Sequence, residues 1–430
     1  MTVSLTILCF IMLGSPKLFA TAEIQGQTAI FASTMPNFNS PNLSRESGGA
    51  ELNLTTAIRW DQYWRVQFSP EIKADALTKD PSEQFVFEPK ELNLERKKLS
   101  QKLKVGFSRV NWEGTDLVNP MDIVHAKNYR DPLNSTSRSS AGIFYSDQIK
   151  SVSWDLIYIP LQSKALFPGE SSPWWPRSLN LPVENDNLVL LLPNQVDYHV
   201  TSDEVLNHAL DNNVGLRVQY HGDSWDLSLA GFDGSSSPPL LIPIVTTTAI
   251  EVYPRQIFQL QNPVLIRPTY YRHRVAAMAT AVTTGTWIFR FSAQHAQPQG
   301  DSSFIPGWSE YAVLGGEKTL PLWKRDITLL AQILSSRRAE SSGLSALSGL
   351  LEKSVMLGWR WAFAEKWTWT SALFQEQTTF STFTHSELSW SWRDNWRQDL
   401  VVDLFSGPAD SAIGAYDRND RVLIKTNYLF

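Results

Sequence analysis

Cysteine is nearly absent: Cys9 is the only one in 430 residues, and it lies in a leading apolar segment. A chain otherwise free of cysteine has no disulfide framework and no thiolate metal site, and it suits export to an oxidising compartment. Thr6-Ile7-Leu8 lacks the small residues that precede a lipidated cysteine, so Cys9 is not read as a lipoprotein site. Long apolar runs are missing too. Beyond the first residues no stretch of about 18 apolar residues occurs, which excludes a transmembrane helix. Charge is scarce at 19 %, the net charge is only −5, and no basic run suggests a nucleic-acid partner. Catalytic signatures are absent: there is no H-E-x-x-H, no G-x-S-x-G and no phosphate loop. His221, His273, His295 and His385 are scattered without ligand spacing. His199 and His208, with Ser202 and Asp203 nearby, are common residues of a polar loop, so neither an enzyme nor a cofactor is expected.

Aromatics, by contrast, reach 12 %, with 17 tryptophans, and mean hydropathy is slightly negative. Soluble domains seldom need so much tryptophan. A membrane β-barrel does, in belts where lipid meets water, and only its alternate residues face lipid. The start of the chain is a targeting segment. Val3 to Leu13 is mostly apolar and Ala20-Thr21-Ala22 follows, which reads as a signal peptide of residues 1–22 cleaved after Ala22. Only the amino terminus supplies positive charge ahead of the apolar run.

The mature chain, residues 23–430, alternates apolar and polar side chains. Val214, Leu216, Val218 and Tyr220 share one face, while Gly215, Arg217, Gln219 and His221 share the other. After Gly222-Asp223-Ser224 the pattern resumes at Trp225, Leu227 and Leu229, which marks an antiparallel hairpin. Equivalent hairpins flank 61–63, 285, 364–366 and 394–395. Two details separate a barrel from a soluble sandwich. Tryptophan repeatedly flanks the tight turns (Trp60 and Trp64, Trp361 and Trp367, Trp392 and Trp396), where a sandwich would be wet. Short turns also alternate with long segments at 35–48, 77–84, 113–138, 161–211, 234–268, 298–308, 338–354, 377–386 and 406–419. Short periplasmic turns and long external loops are the pattern of outer-membrane barrels. Counting gives about 18 strands, with 16–20 as the range set by uncertain boundaries. Tyr253, Ile257 and Phe258 mark a place where the 234–268 loop can hide further strand.

The chain ends with Val422, Ile424, Tyr428 and Phe430 on one face. A terminal Phe with an aromatic two before it resembles the signal read by the bacterial outer-membrane assembly machinery. Lipid offers no hydrogen bonds, so the sheet must close, and the strand near 23–34 is expected to pair with that near 420–430. The fold expected is an all-β, transmembrane, antiparallel up-and-down barrel in the bacterial outer membrane, with membrane lipid as its surroundings.

The strand Val105-Gly106-Phe107-Ser108-Arg109-Val110-Asn111-Trp112 leads into Glu113-Gly114-Thr115-Asp116-Leu117-Val118-Asn119-Pro120-Met121-Asp122. This segment, of about 20 residues, resembles the alginate-export porin and its relatives, a superfamily of large outer-membrane barrels. There a G-x-x-x-x-x-W-G strand end precedes an N-P-x-D loop; here Glu113 stands before Gly114, so the turn is shifted by one residue. The resemblance implies a third external loop folded into the lumen. Asn119-Pro120 favours a turn, and Asp116 or Asn119 is placed to cap a short helix near Pro120. Either Arg109, Asp122 and Arg130 then project polar groups into the pore, or Trp112, Asn119 and Asp122 simply pin the loop to the wall. Arg59, Arg65, Arg217, Arg290, Arg360 and Arg393 lie on the polar phase of their strands, as do Asp226 and Asp399. They form either a selective ring of charge or an ion-paired interior. Pro173-Trp174-Trp175-Pro176 in the longest loop either binds something outside or plugs the mouth, and 202–210 reads as a short capped helix.

A barrel of this size has a lumen that is water-filled or plugged. The expected function is a porin-like channel for small polar or amphiphilic solutes. The alternative is a non-conducting barrel that serves as adhesin, assembly factor or anchor.

Overall fold

The computed structural model describes residues 21–38, 43–115, 118–175, 188–191, 198–251, 256–300, 305, 307–323, 325–339, 353–408, 411 and 413–430. Eighteen strands form its main sheet. The first six are β1 (Thr21–Thr34), β2 (Glu46–Arg59), β3 (Trp64–Asp75), β4 (Phe85–Lys98), β5 (Gln101–Ser108) and β6 (Ser140–Ile149). Next come β7 (Val152–Leu161), β8 (Asp211–His221), β9 (Trp225–Ser235), β10 (Arg272–Thr284), β11 (Trp287–Gln299) and β12 (Ser309–Leu322). The last six are β13 (Arg325–Arg338), β14 (Lys353–Ala364), β15 (Trp367–Glu376), β16 (Thr382–Arg393), β17 (Trp396–Ser406) and β18 (Arg421–Leu429). Each pairs antiparallel with the strand before it, and β18 pairs with β1 from Gln27↔Leu429 to Thr34↔Val422, so the wall is a closed cylinder. Gly26 and Phe430 complete the seam by exchanging both backbone hydrogen bonds, each 3.0 Å.

The alternation decides which face is which. Val214, Leu216, Val218 and Tyr220 point outward and are 41–47 % exposed, whereas Gly215 opposite them is buried against the lumen contents. Those exposed side chains make an apolar outer surface that only a bilayer covers. Below it, at the end with the tight turns, aromatic rings touch in sequence: Trp323, Trp361, Phe363, Trp367, Trp390, Trp392, Trp396, Tyr428 and Phe430, with centroids 4.8–6.3 Å apart. This belt is what the tryptophans at the turns lead one to expect. No described helix is long and apolar enough to cross a membrane; the crossing is made by strands.

Three local expectations are corrected. No helix forms near Pro120: Asn119 instead turns the chain by accepting a hydrogen bond from the Met121 N–H at 3.0 Å, and Asp116 lies outside the described residues. The segment 202–210 is not a capped helix but a two-residue strand, Glu204–Val205, paired with Thr269 and Tyr270 and followed by a single 3-10 turn at Leu206–His208 without a capping side chain. The 234–268 loop carries a long hairpin, Leu240–Glu251 with Gln256–Tyr270, which is the centre of a five-stranded sheet at the loop end of the barrel; Tyr253 lies outside the described residues. Residues 1–20 also lie outside, and β1 begins at Thr21, two residues before the expected mature start.

Candidate pore constriction

The lumen wall carries two apolar patches, which is unusual for a surface expected to be wet. One runs over β6 to β11 through Phe144, Ile157, Ile159, Phe232 and Val275. The other runs over β13 to β17 through Leu330, Met356, Phe374, Phe383 and Phe405. Residues 109–139, the connection between β5 and β6, bridge them. Trp112 is 1 % exposed and Met121 fully buried on the first patch, together with Ile123 and Val124. Val118 faces Val313, Leu334, Met356 and Phe374 on β12 to β15. Leu133 reaches the second patch. The third long connection therefore folds inward and crosses the barrel.

Glycine makes the docking possible at one point. A Cβ at Gly215 would sit 3.2 Å from Cη2 of Trp112, so the indole approaches β8 at a point where a larger residue would push it away. Arg217, one step along the same face, places its guanidinium 5.7 Å from the Trp112 ring centre and pairs with Asp155 at 2.6 Å. Asn119 fixes the turn by donating from Nδ2 to the Trp112 carbonyl at 2.7 Å. His125, fully buried, accepts from the Val110 N–H through Nε2 at 2.9 Å; burial pushes its pKa down to about 4, so the imidazole is neutral. A neutral ring is what an acceptor nitrogen requires.

Polar anchors hold the far end. Asp131 starts a 3-10 turn at Pro132–Asn134 and pairs with Arg421 of β18 at 2.8 Å. Arg421 also pairs with Asp403 of β17 at 2.7 Å, and His385 of β16 meets Asp403 at 2.7 Å. The Arg421 guanidinium lies over Trp174, 5.5 Å from its ring centre. Buried charge survives only when paired and hydrogen-bonded, and Arg421 has both kinds of partner. The long connection 162–210 is knit to the crossing loop: Leu166 exchanges backbone hydrogen bonds with Lys127 and Tyr129, and Gln162 donates to the Val124 carbonyl at 2.9 Å. Trp174 and Trp175 are buried rather than displayed. The first packs on Phe405 and Tyr416 of the wall side, the second on Tyr198, Leu260 and Val264 of the external sheet. Pro176 lies outside the described residues.

The other polar-phase residues are found as follows. Asp122 pairs with Lys127 at 3.1 Å and accepts from Ser137 at 3.2 Å; Arg109 donates to the Ser137 carbonyl at 3.3 Å. Arg130 is half-buried, with its Nε unpartnered. Arg65 pairs with Glu95, Arg290 with Glu317, and Arg59 with Glu23, at 3.0, 2.8 and 3.4 Å. Arg393 lies over Trp392, Arg360 is exposed on the lumen face, Asp226 meets His221, and Asp399 meets Arg397. Among the described residues the interior is thus an ion-paired lattice in which few charges stand alone. His199, His208 and Asp203 sit in three separate pairs, with Glu170, Asp211 and Lys164. Trp112, Asn119 and Asp122, singled out in the sequence, lie in the crossing loop; Asp131, Leu133 and Arg421, which anchor its far end, were not singled out. Arg421 was detectable only as a cation on the polar phase of the last strand, and nothing local links it to a loop 290 residues away.

No family model matches this chain, and no curated protein matches it. Solved structures do. The chain is similar to OccAB1 of Acinetobacter baumannii, with a TM-score of 0.53 at 10 % identity over 96 % of each chain. It is similar to OccK5 (OpdH) of Pseudomonas aeruginosa, with a TM-score of 0.50 at 11 % identity over 95 % of this chain and 98 % of that one. A triple mutant of the Rhodopseudomonas blastica porin aligns at a TM-score of 0.43 and 9 % identity, over 95 % of this chain and all of the other. What the first two share with this chain is the fold.

Proposed function

We propose that the chain is a porin-like channel of the bacterial outer membrane, passing small polar or amphiphilic solutes past a constriction made by residues 109–139. The observation that carries this reading is the crossing loop itself. A closed wall with an apolar exterior encloses an ion-paired interior, and one connection spans that interior from the Trp112 patch to Arg421. Arg109, Asp122 and Arg130 on the loop, with Arg217, Arg290 and Arg360 on the wall, are the groups a permeating solute would meet. Trp112 and Asn119 set their position. The likeness in fold to OccAB1 supports the reading, as does the resemblance of 105–122 to the alginate-export superfamily. The same proposal includes removal of residues 1–22 on export and recognition of Tyr428 and Phe430 by the assembly machinery.

Purified protein in a planar bilayer tests it. Discrete ohmic steps are expected at each insertion, with swelling of loaded liposomes in small polar solutes. One observation favours the second reading, a non-conducting barrel: the start of the 162–210 connection interlocks with residues 109–139 through Gln162 and Leu166. Silence over many insertions would select that reading.

A further inference from the structure

The outer wall is not uniform. Over β11 to β13 one row of outward positions is built from small side chains: Ala293 pairs in register with Ala312, and Ala312 with Ser335, while Met278 of β10 stands beside Ala293. On the turn side the next ring carries Phe291, Leu314 and Ile333. The difference in side-chain size leaves a depression of about 570 Å³, edged by Leu229 and Met278, which falls within the roughly 300–1,000 Å³ of small-molecule sites. Its upper rim is polar, with His295, Glu310 and Arg337 adjacent in register.

Height and charge indicate the occupant. On β11, Trp287 marks the aromatic end of the strand, and residues 287 to 295 span about 26 Å along it. At the 35–45° tilt of barrel strands this is about 20 Å of height, which brings the rim near the loop-side edge of an apolar band about 25 Å tall, within reach of the headgroups for a long cationic side chain. Glu310 is engaged by His295 at 3.0 Å. Arg337 and Lys353, the latter opposite Ser335, have no ion-pair partner among the described residues. Arg274, on the rim of the neighbouring strand, is held by Asp233 at 3.2 Å. A free cation on the rim, Arg337, and a second flanking the row of small residues, Lys353, complement an anionic headgroup over an acyl chain. We propose that this groove seats one phosphate-bearing lipid of the loop-side leaflet, its acyl chain over Ala293 and Ala312 and its phosphate on Arg337 and Lys353. A second copy of the chain fits less well, because the same unpaired cations would be buried at the contact.

Native mass spectrometry of the full chain, released from detergent carrying dioleoyl phosphatidate, tests this. One retained phosphatidate is expected. Arg337→Gln is expected to lower its occupancy about fivefold, and Ala312→Leu, which fills the groove, to lower it at least as much. Heat-modifiable gel mobility confirms that each variant is folded. Dioleoyl glycerol, which lacks the phosphate, and inorganic phosphate alone should both bind poorly. Equal retention of dioleoyl glycerol, unchanged retention in both variants, or a stable oligomer that excludes phosphatidate would overturn the proposal. Because the groove lies outside the cylinder, none of these results depends on whether the barrel conducts.

Discussion

Arg421 shows how a single residue serves both wall and loop. It is 5 % exposed and shared between Asp403 of the wall and Asp131 of the loop. Removing one partner from a buried ion pair costs about 3–5 kcal/mol, because the other charge is left stranded. Arg421→Met should therefore lower the urea midpoint strongly. Asp131→Asn leaves the Asp403 pair intact, so the wall should hold while the loop loosens, read as noisier and larger single-channel currents. Unchanged currents in Asp131→Asn would mean that the pair does not tether the loop. Glu83, in the connection before β4, behaves differently. Burial raises its pKa from 4.5 to about 7, opposed by a Ser172 hydrogen bond, with Asp80 raising it further and Lys73 and Arg130 lowering it. The folded state holds this proton more tightly than the unfolded one, so the contribution is full below about pH 4.5 and is lost as pH climbs through about 7. Protection factors for hydrogen exchange in 76–84 and 162–175, taken relative to the intrinsic rate at each pH, should thus fall between pH 5 and 8, and Glu83→Gln should flatten that change.

Among the elements, the strands were legible and the packed loops were not, for a physical reason. A strand half in lipid writes its orientation into every second residue, so β8 and β9 can be read from Val214 to Leu229 without knowledge of any neighbour. The hairpin at 240–270 was only half legible: Ile257 and Phe258 hinted at strand within the 234–268 loop, but Pro243 and Pro263 interrupt the pattern a strand would show. In the structure a register shift between Ile244 and Thr246 takes Pro263 out of the ladder, so the proline costs no hydrogen bond there. The loop's destination was half legible: Trp112 and Asn119 announced a fixed turn, but the patch that receives Leu133 comes from five separate strands. Two elements yield direct tests. Trp112→Ala should weaken loop docking by about 3–5 kcal/mol, the usual loss for a buried large aromatic, and proteolysis within 109–139 should accelerate while the barrel stays intact. At the seam, a Cβ at Gly26 would lie 2.5 Å from the Phe430 ring. Gly26→Val should therefore slow closure of β1 on β18, seen as a larger fraction of unfolded, heat-insensitive band after assembly; normal assembly would show that Phe430 can move aside.

At the scale of the molecule, a cylinder of 18 strands is too wide for its own wall side chains to fill. The chain fills part of it with residues 109–139 and 162–175, held by the Trp112 patch at one side and Arg421 at the other. Width and obstruction thus come from different parts of the sequence, and they can be separated. The decisive measurement is single-channel conductance in planar bilayers for the full chain and for a chain whose residues 113–136 are replaced by a short Gly-Ser link. A several-fold larger, quieter ohmic step in the shortened chain is the predicted result. Equal steps in the two chains, or silence from both, would contradict the view that this loop sets the opening of an outer-membrane channel.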